Sequence, residues 1–305
     1  MENVPIIIIA GPTASGKTGT ANRLALEFNG EIISADAMAV YKMMDIGTAK
    51  PTREEMADIP IHMIDVVNPD EPFDAACFAE KGDKYIEEIT ARGKTPFVAG
   101  GSGLYIKALT HGLVKEVKSD PDIKARLEKE ILIKGKDVLY ARLMKLDPES
   151  GARIHENDIY RILRALEIIE ITGKPVSAIY SGHAFSSLRY NALMLCLEWE
   201  REELYNRINK RVEIMMAQGF ILEVKGLMAK GFGPELKSMG ALGYRHISAA
   251  IAGDFSMEKA VELMKRDTRR FAKRQITWFK KHPGAIWVDA RDFETMRKMI
   301  TEHLS

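Results

Sequence analysis

An unbroken apolar run from Val4 to Ala10 stops against the string GPTASGKT, Gly11 to Thr18, and no other feature constrains the fold of this chain as much. Four successive isoleucines with no polar alternation read as a strand buried on both faces, the kind found in parallel sheets. The string satisfies GxxxxGK[ST] and is followed by a helical segment, Gly19 to Phe28, so strand, glycine-rich loop and helix come in the order a phosphate-binding loop requires. Glycines let the backbone approach phosphate, while successive N–H groups and the helix N-terminus point at its oxygens. Gly11, Pro12, Thr13, Ala14, Ser15, Gly16 and Lys17 are therefore the candidate cradle for a diphosphate or nucleotide. The Lys17 ammonium supplies charge at short range, and Thr18 is the candidate Mg²⁺ ligand. Such a loop specifies an anionic phosphate and leaves the reaction open.

Further apolar stretches at Glu31 to Ala35, Ile61 to Asp65, Pro96 to Ala99, Asn191 to Glu198 and Ala285 to Val288 read as strands, most of them separated by helical patterns. This alternation predicts a doubly wound α/β fold: a P-loop NTPase-like parallel sheet core whose ligands lie at the carboxyl ends of the strands. Between the fourth and fifth strands, Ser119 to Tyr180 shows helical periodicity, with start signals at Ser119-Asp120-Pro121 and Asp147-Pro148. The division expected is a core of residues 1–114 and 190–305 carrying C-terminal basic helices, and a helical insertion subdomain of residues 115–189.

Composition removes several classes of function. The two cysteines, Cys77 and Cys196, are far apart and have no CxxC or Cys/His spacing, which argues against a disulfide framework or structural zinc. The opening apolar run is too short to span a membrane and has no basic lead-in, so a cytoplasmic protein without a membrane segment is expected, with a monomer as the default. Net charge is +1, so a nucleic-acid surface has to come from uneven placement of charge. The DxxG and NKxD strings of a GTPase are absent. A small-molecule P-loop kinase stays open, because loop, Mg²⁺ and a following carboxylate are also the parts of phosphoryl transfer.

Asp36 is that carboxylate. It is read at the carboxyl end of a strand next to the P-loop strand, where it serves equally as a general base or as a Mg²⁺ ligand. From Lys265 to Lys281 there are eight lysines or arginines and one acid. A helix there places Met264, Ala272, Ile276 and Phe279 on one face and Arg266, Arg270, Lys273 and Thr277 on the other. Such a stripe suits a phosphate backbone or is simply a solvated face. Tyr41, Tyr105 and Tyr244 are candidate base-stacking platforms, though packing is the commoner use of buried tyrosine.

The segment SADAMAVYKMMDIGTAKP, Ser34 to Pro51, resembles the tRNA dimethylallyltransferases, whose usual form is close to DSMQVYRGMDIGTAKP. Further blocks match in the same order: VAGGSGLYIKAL (Val98 to Leu109), DPESGARIHENDIYRILRALE (Asp147 to Glu167), RINKRVEIMMAQGFILEV (Arg207 to Val224), SMGALGYR (Ser238 to Arg245) and TRRFAKRQITWFK (Thr268 to Lys280). The resemblance implies transfer of dimethylallyl from its diphosphate to the exocyclic N6 of the tRNA adenosine just 3′ of the anticodon, with Mg²⁺ as cofactor and diphosphate released. It implies Asp36 as the base, with Lys17 and Arg211 on the departing diphosphate. It assigns Asp36, Ala37, Met38, Ala39 and Ser102 to the nucleoside, and Lys124, Tyr160, Arg161, Arg164, Arg270, Lys273 and Arg274 to the tRNA anticodon arm. Ala37 and Ala39 replace a serine and a glutamine of the usual form, Gly240 replaces a glutamine, and Ser102-Gly103 replace a threonine and a larger residue. A divergent member with altered base recognition is expected; a catalytically impaired tRNA-binding paralogue is the alternative.

Overall fold

The computed structural model describes residues 4–52, 54, 56, 59–112, 117, 119–181 and 188–305. In chain order the first elements are β1 (Pro5–Ala10), α1 (Lys17–Glu27), β2 (Gly30–Ser34), β3 (Ile61–His62), α2 (Ala75–Ala91), β4 (Thr95–Gly100) and α3 (Gly103–His111). The helices α4 (Pro121–Lys134), α5 (Lys136–Leu146), α6 (Pro148–Arg153), α7 (Ile159–Thr172) and α8 (Val176–Ser181) follow. The chain then returns through β5 (Asn191–Glu198), α9 (Arg201–Ala217), α10 (Phe220–Ala229), α11 (Tyr244–Ala252), α12 (Met257–Lys280), β6 (Ala285–Asp289) and α13 (Phe293–Leu304). Two compact units result, Met1–Thr110 with Leu188–Ser305, and His111–Ser187. Among the described residues no helix is long and apolar enough to cross a membrane.

The first unit is built on a six-stranded parallel sheet of order β3-β2-β4-β1-β5-β6. Ile6, Ile7, Ile8 and Ile9 of β1 have no solvent exposure, because β1 pairs with β4 on one side and β5 on the other and is covered on both faces. Two sequence expectations change. The strand carrying Asp36 is not beside the P-loop strand: β4 lies between them, pairing Ile33 with Val98 on one edge and Ile8 with Val98 on the other. The third strand is two residues long instead of five, since Met63 and Asp65 take φ of +66° and +55° and cannot continue an extended chain.

Both start signals of the helical unit work as caps. Asp120 accepts from the N–H groups of Asp122 and Ile123 with Pro121 at the first helical position, and Asp147 accepts from Ser150 before Pro148. Asp147 also accepts from the N–H and hydroxyl of Ser177; burial works against its charge, but these donors hold its pKa down at about 2. Leu127, Leu139, Leu143, Ile162 and Leu166 form the unit's own core.

Candidate active site

The loop after β1 is shaped by what its carbonyls bind. Gly11 has φ of +144°, and a Cβ there would come within 3.2 Å of the Leu197 carbonyl, so the turn into the loop requires glycine. The Pro12 carbonyl accepts from Lys17 Nζ at 2.6 Å, the Ala14 carbonyl from Arg207 Nε at 2.9 Å and the Ser15 carbonyl from Trp199 Nε1 at 2.8 Å. With these oxygens turned into the protein, the opening amides of α1, which have no partner within the helix, are left to an external anion. Gln275 of α12, 7% exposed, binds across the site: it accepts from the Thr13 N–H at 2.8 Å and donates to the Gly101 carbonyl at 2.9 Å. It thereby ties the P-loop to the loop after β4.

Thr13, Ala14, Gly16, Lys17 and Thr18 line one cavity of about 720 Å³ together with Asp36, Ala37, Met38, Ala39, Ser102, Arg211 and Arg274. Gly11, Pro12 and Ser15 form the loop without lining the cavity. Asp36 is fixed by Oδ1, which accepts from the Met38 N–H at 2.8 Å and the Ala39 N–H at 3.4 Å; Oδ2 accepts no hydrogen bond among the described residues. The Ser102 hydroxyl accepts from the Ala37 N–H at 2.9 Å. Arg211 reaches toward Thr13 Oγ1 and the Thr48 carbonyl, each at 3.5 Å.

The electrostatics of the cavity favour a polyanion. Burial, helped by the nearby Arg211, brings the Lys17 pKa down to about 8 against the opposing pull of Asp36 and Cys196. Burial likewise lowers Arg211, with Asp36 the group that opposes it. Two desolvated cations therefore share one carboxylate, an incomplete neutralisation that a diphosphate would complete. Burial pushes the Cys196 thiol up to about 12, so it is no nucleophile at neutral pH.

The loop carrying Thr48 is held by a residue that sequence reasoning did not single out. Glu223 of α10 accepts from the N–H groups of Asp45 at 3.0 Å, Ile46 at 2.7 Å and Gly47 at 3.2 Å, and from the Tyr244 hydroxyl at 2.6 Å. Glu223→Gln, which replaces one accepting oxygen by an NH₂ donor and removes the charge, is expected to lower stability by about 2 kcal/mol, read as a lower melting temperature. A melting temperature equal to wild type would show that Glu223 does not hold the loop.

The other expected site residues are divided. Arg270 is 3.6 Å from Asp267 and exposed, and Lys273 lines a separate cavity of about 480 Å³ with Pro12, Trp199 and Trp287. In the helical unit, Arg161 pairs with Asp158 at 3.1 Å, Lys124 stands 3.8 Å from Glu128, and Tyr160 is 74% exposed. Arg164 is committed to its own unit, donating to buried Glu167 at 2.6 Å and to the Val117 carbonyl. Tyr41, Tyr105 and Tyr244 are all buried, which is packing as the commoner use of tyrosine has it, although Tyr105 and Tyr244 also line the cavity. Trp278 adds a more exposed aromatic surface at the cavity, and its indole lies over Gly103: a Cβ on Gly103 would meet it at 2.2 Å.

A parallel sheet, a GPTASGKT loop and a carboxylate that lines the same cavity define a P-loop α/β protein. Residues 39–282 match the IPP transferase family and residues 4–68 the isopentenyl transferase family. The chain belongs to the IPP transferase family. It is 50% identical to the tRNA dimethylallyltransferase of Desulfosudis oleivorans, over 94% of this chain and 91% of that one, and 50% identical to that of Desulfatibacillum aliphaticivorans, over 97% of each. Among solved structures it resembles the full-length tRNA isopentenylpyrophosphate transferase of Bacillus halodurans, with a TM-score of 0.74 and 39% identity over 98% and 96% of the two chains. A eukaryotic dimethylallyltransferase acting on tRNA gives 0.81 and 31% identity over 99% of this chain and 77% of that one.

Proposed function

We propose that this protein transfers a dimethylallyl group from dimethylallyl diphosphate to N6 of the tRNA adenosine just 3′ of the anticodon, releasing diphosphate. The observation that carries this reading is the single cavity shared by the phosphate loop, Arg211 and Asp36. The loop amides, Lys17 and Arg211 hold the diphosphate and stabilise its growing charge as the bond between the allylic carbon and the bridging oxygen breaks, its electron pair leaving with the diphosphate. The N6 lone pair forms the new carbon–nitrogen bond, and the surplus N6 proton passes to the free Oδ2 of Asp36. No phosphoryl group moves.

Mg²⁺ fits the donors present. Thr18 and Asp36 offer hard oxygen ligands, while no group of three or more His, Cys, Asp or Glu that could cage a metal exists among the described residues. The Thr18 hydroxyl would hold such a cation, which would supply further charge stabilisation to the leaving group. The exposed Lys124, Tyr160, Arg161, Arg270, Lys273 and Arg274 are the residues we assign to the anticodon stem-loop. A cytoplasmic monomer is the form in which we expect the protein to act.

Incubation with labelled dimethylallyl diphosphate, labelled ATP and bulk tRNA tests the reading. Prenyl label should enter tRNA with no γ-phosphate transfer; ATP turnover without prenyl transfer would establish a kinase instead. Base recognition is tested separately, since Ala37, Ala39 and Gly240 all line the cavity where the usual form has polar side chains. Ala37→Ser combined with Ala39→Gln is expected to raise kcat/KM for tRNA about tenfold, the lower part of what a good bidentate base contact contributes. Turnover unchanged by the double substitution would remove the idea of weakened recognition.

A further inference from the structure

Two methionines, one on α9 and one on α12, line the cavity. α9 and α12 run antiparallel, in a register fixed by the Lys265–Glu213 ion pair at 2.6 Å and by Arg269 donating to Asn209 Oδ1 at 2.6 Å. Toward the P-loop, Ala272 of α12 packs with Leu204 and Ile208 of α9 and with Ala14. The same register puts Met215 of α9 level with Met264 of α12, at the end away from the P-loop. Both line the cavity and are 7% and 3% exposed. Arg211, which reaches Thr13 of the loop, precedes Met215 by one helical turn, a rise of about 6 Å. Between these two levels the α9 wall is Val212, with Leu242 also lining the cavity, and the hydroxyl of Thr268 on the α12 wall is taken up by the Met264 carbonyl, so the path from the diphosphate contact to the methionines is largely apolar.

That rise is of the same size as the alkyl group of one substrate. With carbon–carbon bonds of about 1.5 Å, a dimethylallyl group reaches about 5 Å beyond its ester oxygen and a ten-carbon geranyl group about twice that. Resting on the reading of the site as a prenyl diphosphate transferase, we infer that Met215 and Met264 form a floor on which the alkyl tail stops, so that these two residues measure donor length and exclude the ten-carbon donor. Methionine suits this use because its unbranched side chain fills the end of the cavity closely against a flexible branched alkyl group.

The test compares dimethylallyl and geranyl diphosphates, by kcat/KM for transfer to tRNA and by equilibrium binding without tRNA, in wild type, Met215→Ala, Met264→Ala and the milder Met215→Val. Thermal melting checks that each variant is folded. Shortening either methionine should raise the geranyl-to-dimethylallyl ratio at least tenfold in transfer and in binding, with some loss on the five-carbon donor. A ratio within twofold of wild type in folded variants would overturn the floor. Met215→Val carries the test if the alanine variants do not fold. Wild type that transfers neither donor would instead refute the function proposed above, so the two failures are distinct.

Discussion

Asp36→Asn is expected to lower the rate of prenyl transfer about a thousandfold, the middle of the range for a lost general base, while tRNA is retained nearly as by wild type. Asparagine is nearly isosteric, and its carbonyl oxygen can keep the bonds from the Met38 and Ala39 N–H groups that fix the loop after β2. What is lost is the charge and with it the proton acceptor. Filter retention of labelled tRNA alongside single-turnover transfer separates the two effects. Asp36 also opposes the burial cost of Arg211 and Lys17, so some weakening of cation placement accompanies the change. Full activity in the variant would refute the base. A large loss that excess Mg²⁺ restores would assign Asp36 to metal binding instead.

Lys17→Met is expected to do two opposite things. It should weaken diphosphate binding at least a hundredfold, since a desolvated ammonium in contact range of phosphate contributes several kcal/mol. It should also stabilise the protein without ligand. The folded-state pKa of Lys17, about 8, lies below its ordinary value of 10.5, so the folded protein binds the proton less tightly than the unfolded chain. The cost of burying the charge is therefore fully present below pH 8, and stability recovers as pH rises from about 8 toward 10.5. That displacement corresponds to about 3 kcal/mol; allowing for solvent near the ammonium and for the lost bond to the Pro12 carbonyl, a gain of about 1 to 2 kcal/mol at pH 7 is expected. Denaturant melts at pH 7 and above pH 10 check the sign, because the advantage of methionine should shrink at the higher pH. A variant less stable than wild type at pH 7 would show that Lys17 braces the loop and is not strained by its burial.

The parts of this site that were legible in the sequence are those whose chemistry is local. Gly11 to Thr18 form a phosphate loop because the strand before them and the helix after them are contiguous in the chain, and Asp120 and Asp147 cap helices through neighbours two or three residues away. Strand order was not legible: nothing within β2 says that β4 will come between it and β1, since parallel apolar strands pair without side-chain signatures. Nor could sequence mark Gln275 or Glu223. Each is an ordinary polar residue on an amphipathic helix, and its role appears only when the fold brings it to Thr13 or to the amides of Asp45 to Gly47, more than 170 residues away. Arg161 and Arg164 look alike at helical spacing, yet Arg164 is held by a buried glutamate and Arg161 stays at the surface.

Because β5 is the partner of β1 on the side away from β4, and the helical unit intervenes before it, a chain growing on the ribosome has to wait for its sheet to be completed. From the end of β4 to the start of β5 roughly ninety residues must be made, about 5 to 20 s of synthesis, during which the isoleucines of β1 have one hydrogen-bonding edge without a neighbour. An unpaired, flat, apolar edge invites pairing with other chains. Nascent material stalled or truncated in the helical unit should accordingly be the form most dependent on chaperones and most prone to clump.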